Sequence, residues 1–291
     1  MTRERAVLGS LEGLLAALEL TPLGEDRFRA DSEPDRFGRI FGGQMIAQAM
    51  SAACTTVPDK PPHSLHAYFV QAGLSEQPVE IHVDRVRDGR SMSSRRVTVT
   101  QDGDPLLIAM MSFHDNPTQP EFAEPVPPTR GPDELPTLQE WAEKAPPHLL
   151  PRARTWIDRP PPVQMRIGEP TYFLGGQGAS GPRTHWMRVP RDVGTDPTLH
   201  SVLLAYASDY LLLDMAFRSH PERVTVTSFA GSSLDHALWL HRPVRFDRWH
   251  RHTQELVAVC GDRGLVRGTI HDIDGHLVAN TTQEVLVRVN R

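Results

Sequence analysis

The chain has 291 residues, 39% of them hydrophobic, and a net charge of −5; that is long for one small domain and enough for two domains with their own cores. So mild an acidity excludes the concentrated basic face of a nucleic-acid binder. Cys54 and Cys260 lie far apart in different halves, which excludes a disulfide framework and fits a reducing cytosol, and no CxxC, CxxH or HExxH pattern supports a metal site.

In chain order, Leu8, Leu11, Leu14, Leu15 and Leu18 recur at helical spacing and predict a short amphipathic helix from Leu8 to Leu20, not a signal peptide. No run reaches the roughly 18 apolar residues of a membrane span. The C-terminal Val-Asn-Arg is not a peroxisomal address. A cytoplasmic protein with no membrane partner is expected. A first block opens on Phe41-Gly42-Gly43-Gln44, continues as a small-residue helix to about Ala53, and then predicts strands over Ser64–Gln71, Val79–Asp88, Ser91–Gln101 and Pro105–His114. Asp102-Gly103 is a hairpin signal between the last two. Between Asp115 and Pro170 stand fourteen of the 26 prolines. That density predicts a linker with one short helix near Thr137–Lys144. A second block predicts a strand at Arg183–Val189, one helix at Thr198–Phe217, and strands at Ser233–His241, Thr253–Asp262, Gly264–Asp272 and Leu277–Val289, with a turn at Asp274-Gly275.

The blocks repeat one another. His66-Ala67 and His236-Ala237 are 170 residues apart (236 − 66), and the two Asp-Gly turns 172 (274 − 102). The expected class is therefore α+β: two helix-on-antiparallel-sheet repeats joined by a proline-rich linker. Residues 1–114 form the first domain, 115–170 the linker and 171–291 the second domain. The second helix supplies an apolar face through Val202, Leu203, Tyr206, Leu213 and Phe217.

Several motifs stand in a fixed order: Phe41-Gly42-Gly43-Gln44, His66-Ala67-Tyr68-Phe69, Arg87-Asp88-Gly89-Arg90-Ser91 with Arg95-Arg96-Val97, Leu204-Ala205-Tyr206-Ala207-Ser208-Asp209, the run from Ser233 to Pro243, Gly264-Leu265-Val266-Arg267-Gly268, and Gln283-Glu284. In this order they resemble the type II acyl-CoA thioesterases, over nearly the whole chain. The resemblance implies a double hotdog, in which each sheet wraps a central helix. It implies acyl-CoA as substrate, no metal or organic cofactor, and an attacking water held by Asp209, Ser233 and Gln283.

The residues themselves admit this chemistry. Thioester hydrolysis needs an aimed water, a proton acceptor and oxyanion donors. Asp209 follows Tyr206 by three residues and precedes Leu213 by four, so it shares the apolar stripe, where desolvation raises a carboxyl pKa. An Asp that caps the helix or pairs with an arginine is the alternative. Ser233 offers a hydroxyl, with Ser232 as its competitor, and Gln283 is either a buried amide or a solvated strand residue. Gly42 and Gly43 at a helix start present N–H groups to an anion or serve close packing. With Gln44, Met45 and Ala49 they are the candidate substrate contacts of the first block, facing Tyr206 of the second across a groove between the helices. Asp235 and His236 point to opposite faces of a strand, so His236 or Asp235 is read as support for the helix. The first block has Met111 where the second has Gln283 and no acid between Gly42 and Ala53, so one site per chain is expected. Alternatives are an enoyl-CoA hydratase-like hotdog enzyme, which needs a His five residues after Asp209 where Asp214 stands, or a non-catalytic acyl-CoA binder. A homo-oligomer is expected because open sheet edges need cover.

Overall fold

The structure, a computed structural model, describes residues 3–33, 38–115, 122–220 and 229–289. Helix α1 (Arg3–Ala17) starts earlier and stops sooner than its leucine spacing predicts, and it buries Leu11 and Leu14 completely. Strands β1 (Thr21–Gly24) and β2 (Arg27–Ala30) then form a hairpin. At its turn Asp26 adopts φ 52°, and its carboxylate accepts two hydrogen bonds from Arg85 at 2.7 and 2.9 Å. Helix α2 (Gly42–Thr55) is almost wholly buried. Its alanines Ala47, Ala49, Ala52 and Ala53 keep it narrow enough to lie on the sheet formed by β3 (Pro62–Phe69), β4 (Val79–Asp88), β5 (Met92–Gln101) and β6 (Asp104–His114). The β5–β6 turn puts Asp102 at φ 52° and Gly103 at φ 90°, the left-handed pair that a tight hairpin requires.

The proline-rich bridge is more ordered than expected; its residues 116–121 lie outside the described residues. Helix α3 (Leu138–Glu143) is closed by a reciprocal cap, with Glu140 N donating to Thr137 Oγ1 and Thr137 N to Glu140 Oε2. A second helix, α4 (Leu150–Asp158), and an edge strand, β7 (Gln164–Ile167), correct the reading of one short helix. Prolines tolerate both elements: Pro151 sits in the first turn of α4, where no intrahelical N–H is missed.

The second unit comprises β8 (Arg183–Arg188), α5 (Pro197–Ser208), α6 (Leu212–Arg218), β9 (Phe229–Ser233), β10 (Asp235–Leu240), β11 (His250–Cys260), β12 (Arg263–Asp272) and β13 (Leu277–Val289). The single helix expected over Thr198–Phe217 is broken. Asp209 caps α5 and Leu211 takes φ 67° before α6 begins. The physical reason is buried underneath: Gln254 Nε2 donates to the Tyr210 carbonyl at 2.8 Å, replacing a helical partner at the break. The expected strand from Ser233 is likewise two strands, β9 ending at Ser233 and β10 starting at Asp235.

The strands form one antiparallel sheet in the order β1-β2-β4-β5-β6-β3-β10-β13-β12-β11-β8-β7, with β9 also pairing β13. The fold is α+β, a double hotdog whose halves meet at the β3–β10 pair. Gly43 packs on Tyr206, near the end of α5, and Cys54 shares a cavity with Pro197 and Thr198 at its start, so α2 and α5 run antiparallel. The halves are related by a rotation that keeps each side chain on its own face of the sheet. Leu65 and Ala67 of β3 point inward, as do His236 and Leu238 of β10. The offset there is therefore 171 (236 − 65), an odd number, and it pairs His236 with Leu65. The 170-residue match of His66-Ala67 with His236-Ala237 is corrected: an even offset would turn every side chain to the opposite face. In β6 and β13 the inward residues Ala109, Met111 and Phe113 answer Thr281, Gln283 and Val285 at the offset of 172 (283 − 111).

Candidate active site

The site forms where α5 ends beside the start of α2. Asp209, 8% exposed, lies against the first turn of α2, where a side chain on Gly42 would strike its Oδ2. Its Oδ1 has no hydrogen-bond partner among the described residues. Burial pushes the Asp209 carboxyl above the ordinary aspartate range. The nearby His236, a hydrogen bond from the Gln283 side chain and one from the Gly43 N–H oppose that shift.

Gln283 stands inside β13, fully buried. Its Nε2 donates to Ser233 Oγ at 2.8 Å, and its Oε1 is 2.5 Å from His236 Nδ1. The Nε2 of that ring is 2.9 Å from Ser208 Oγ. Asp209, Ser233 and Gln283, expected together, are thus brought together, Ser233 at the end of β9 where it pairs with Val285. Burial lowers the pKa of His236, opposed by the charge of Asp209 and by the Gln283 hydrogen bond, so desolvation favours the neutral ring. Asp235 is not idle: its Oδ1 accepts the Glu284 N–H at 2.7 Å and ties β10 to β13.

Asp209 and Ser233 open on a cavity of about 370 Å³ lined also by Gly42, Phe41, Arg152, Trp156, Phe173 and Leu213. Gly42, one of the expected substrate contacts, is among the residues that line it. Gly43 lies one residue deeper, where a Cβ would overlap the Tyr206 carbonyl, so close packing is its role alongside its N–H bond to Asp209. The other expected substrate contacts are corrected. Met45, Ala49 and Tyr206 are sealed in the core at 3%, 0% and 0% exposure. The Gln44 Oε1 accepts the Glu33 N–H at 3.0 Å, and the Tyr206 hydroxyl donates to Glu33 at 2.7 Å. The helices are in contact, and the open volume lies at their ends instead of between them. Sequence reasoning missed Arg152 and Trp156 because α4 sits in a proline-rich stretch with no clean apolar period. It also missed Gln254, which is silent until the helix break shows what it bonds.

A cavity of about 330 Å³ occupies the rotated position, between the end of α2 and the start of α5. The helix caps Phe41 and Asp196 set an offset of 155 (196 − 41), which places Cys54 where the other half has Asp209. Pro62 answers Ser233 at the offset of 171 (233 − 62). Cys54 and Pro62 both line this second cavity, and Leu65 and Met111 face each other across β3 and β6 where the second half has His236 and Gln283.

Asp272, Asp274 and His276 bring ligand atoms within 4.8 Å of one another in the β12–β13 hairpin. Asp272 is already engaged there by the backbone N–H groups of Asp274 and His276, which is the wiring of a turn. Among the described residues no helix is long and apolar enough to cross a membrane.

Two helix-on-sheet units sharing one sheet, with the buried Asp209 carboxylate where their helices meet, give the architecture of a double-hotdog enzyme. Comparison with known proteins agrees. Residues 31–114 match the family model for the acyl-CoA thioesterase N-terminal domain and residues 154–286 that for acyl-CoA thioesterase. The chain belongs to the acyl-CoA thioesterase family. It is 35% identical to human acyl-coenzyme A thioesterase 8 over 97% of this chain and 91% of the relative. It is 32% identical to acyl-CoA thioesterase 2 of Haemophilus influenzae over 96% of this chain and 98% of that one. Among solved structures, the tesB protein of Mycobacterium avium subspecies paratuberculosis superposes with a TM-score of 0.78 at 29% identity, covering 96% of this chain and all of that one. The acyl-CoA thioesterase II TesB2 of Mycobacterium marinum gives 0.77 at 30% identity, covering 96% and 98%.

Proposed function

We propose that this chain hydrolyses acyl-CoA thioesters to free fatty acid and CoA, using a water held by Asp209, Ser233 and Gln283. The observation that carries the reading is the Asp209 carboxylate: buried, raised in pKa, lining a cavity, with Oδ1 unpartnered among the described residues and Oδ2 lying against Gly42 at the α2 N-terminus. A base of raised pKa takes a proton from water more readily than an ordinary aspartate. The water oxygen attacks the thioester carbonyl carbon and its proton passes to Asp209. The Gly42 N–H, at the positive end of α2, faces the carbonyl oxygen as it gains charge. Collapse of the tetrahedral intermediate breaks the C–S bond, and the proton on Asp209 leaves with the CoA sulfur. Ser233 and Gln283 aim the water, and no metal or organic cofactor enters the steps.

The apolar side of the cavity, Trp156, Phe173 and Leu213, suits an acyl chain, while Arg39 and Arg152 at the same cavity suit the anionic end of CoA. On this reading residues 171–291 supply the chemistry, 1–114 the α2 N-terminus, and the 115–170 bridge a wall of the cavity. A hydratase-like reaction is disfavoured because Asp214, at the position where that chemistry needs a histidine, is consumed by Arg183 at 2.6 Å and by the Tyr172 and Phe173 N–H groups. We read the protein as a cytoplasmic homo-oligomer without nucleic-acid or membrane partners. Self-association is supported by the exposed neighbours Tyr68, Ile108 and Met110 on the outer sheet face. Thiol release from palmitoyl-CoA, lost in Asp209→Asn, tests the activity. Absorbance loss with crotonyl-CoA in its place would establish hydration, and binding without either would establish a carrier.

A further inference from the structure

We propose that His236 is a positioning residue for the water site, acting by fixing which way round the Gln283 amide stands. The proposal rests on the reading of Asp209, Ser233 and Gln283 given above. An amide has a donor end and an acceptor end of nearly equal size. An ionised Asp209 offers only acceptors, so it needs the NH₂ end of Gln283. Ser233 either donates or accepts and cannot choose between the ends. The choice falls to the group behind the amide, and that group is His236, with Nδ1 2.5 Å from Gln283 Oε1.

The ring must then carry its proton on Nδ1. In a neutral imidazole this leaves Nε2 as an acceptor, and Ser208 Oγ lies 2.9 Å from it. That hydroxyl is also 2.8 Å from the Ala205 carbonyl; its single hydrogen serves one of the two at a time. Ser208 is the residue immediately before Asp209. The ring therefore joins the end of α5 to the amide that faces the carboxylate. His236 is 1% exposed and both of its ring nitrogens are engaged, one by Gln283 and the other by Ser208, so it acts through Gln283 and not on water.

The other half of the chain supports this assignment. There the corresponding inward pair is Leu65 and Met111, both apolar, in the half that has Cys54 in place of Asp209. Ring and amide occur together beside the carboxylate and are replaced together where it is missing. With leucine at position 236 the Gln283 carbonyl loses its donor, and rotation of the amide would turn oxygen toward the carboxylate.

The test is steady-state hydrolysis of palmitoyl-CoA, read by thiol release, for wild type, His236→Leu, Gln283→Ala and the double variant, with thermal melting to verify folding. His236→Leu is expected to lower kcat on the order of 10-fold, as for other groups that orient a working side chain, with KM nearly unchanged. The double variant is expected to be no slower than the slower single variant. His236→Asn places an N–H donor near the Nδ1 position and is expected to retain most of kcat. His236→Gln places its amide near the Nε2 position and is expected to behave like His236→Leu. Wild-type turnover in His236→Leu, a loss confined to KM, or losses that multiply in the double variant would overturn the proposal. If His236→Leu does not fold, equal rates for the Asn and Gln variants would overturn it. A wild-type rate in Gln283→Ala would instead overturn the water-site reading itself, and the proposal with it.

Discussion

A Cβ built on Gly42 would stand 2.7 Å from Asp209 Oδ2, and the Phe69 ring, 3.0 Å away on another side, blocks an easy escape. The helix start in one half of the chain thus fixes the carboxylate supplied by the other. Gly42→Ala is expected to displace that carboxylate and lower kcat on the order of 10-fold, since small displacements of reacting groups are costly. The melting temperature should change little, because alanine suits a helix better than glycine. Unchanged kcat would mean the carboxylate has room to move without consequence.

Asp209→Asn should abolish most turnover, by on the order of 10²-fold or more for a lost general base, while leaving the fold intact. The pH dependence carries a sign. Burial raises the folded-state pKa of Asp209, so ionising it costs stability, and that cost appears as pH rises through the raised value. At neutral pH the Asn variant should melt at or above the wild-type temperature, and the difference should fade on acidification below the ordinary aspartate range. Activity runs the opposite way: kcat should rise with pH through a limb displaced above that range. A limb at the ordinary aspartate position would remove the desolvation argument.

On the proposed role of both groups in orienting water, Ser233→Ala and Gln283→Ala should each lower kcat with modest change in KM. Ser232 is the internal control. It pairs with Leu286 on the next rung of β9 and is exposed, so its side chain faces the other side of the sheet. Ser232→Ala should match wild type. A larger effect there than at Ser233 would mean that the wrong hydroxyl has been placed on the water.

The strands with inward–outward alternation, such as β4 at Val79–Asp88 and β13 at Leu277–Val289, were legible because each buries one face. The hairpin β1–β2 was not: all of Thr21–Gly24 is exposed, so no periodicity marks it. The break after Asp209 was hidden because apolar residues continue straight through it, from Tyr206 to Leu213. What ends α5 is Gln254, some forty residues on, and no local signal carries that. Asp209, Ser233 and Gln283 were singled out by family motif, whereas physical reasoning alone left each with a bland alternative; the structure places Asp209 and Ser233 at one cavity and Gln283 against Ser233. The parity error at His66-Ala67 shows the limit of dipeptide matching, since identity of letters says nothing about which face a strand residue takes.

The acyl-chain determinant is expected on α4 and not between the central helices. Trp156 lines the cavity and its ring lies 6.5 Å from that of Tyr210. Trp156→Ala should enlarge the apolar end and move the chain-length preference toward longer substrates, read as kcat/KM across an acyl series. Ala49→Phe, by contrast, forces a ring into a site with no exposure and should cost about 1–3 kcal/mol of stability through overpacking. A stable Ala49→Phe variant with a shortened preference would restore the groove between the helices as the acyl site.

One chain should bind one substrate. The rotated cavity has the shape of a second site without its chemistry: Cys54 replaces the carboxylate, Pro62 the hydroxyl, Met111 the amide and Leu65 the imidazole. The thiol cannot substitute as a base, since burial pushes its pKa up to about 12 and leaves it protonated at neutral pH. Proline has no hydroxyl to hold a water, and the methionine–leucine pair offers no group that orients one. Calorimetric titration with a hydrolysis-resistant acyl-CoA thioether should therefore saturate near one ligand per chain. Gly42→Phe, which fills the Asp209 end, should reduce the bound fraction toward zero without exposing a second, weaker event. A stoichiometry near two, with one event surviving Gly42→Phe, would show that the first half kept a binding site after losing its water.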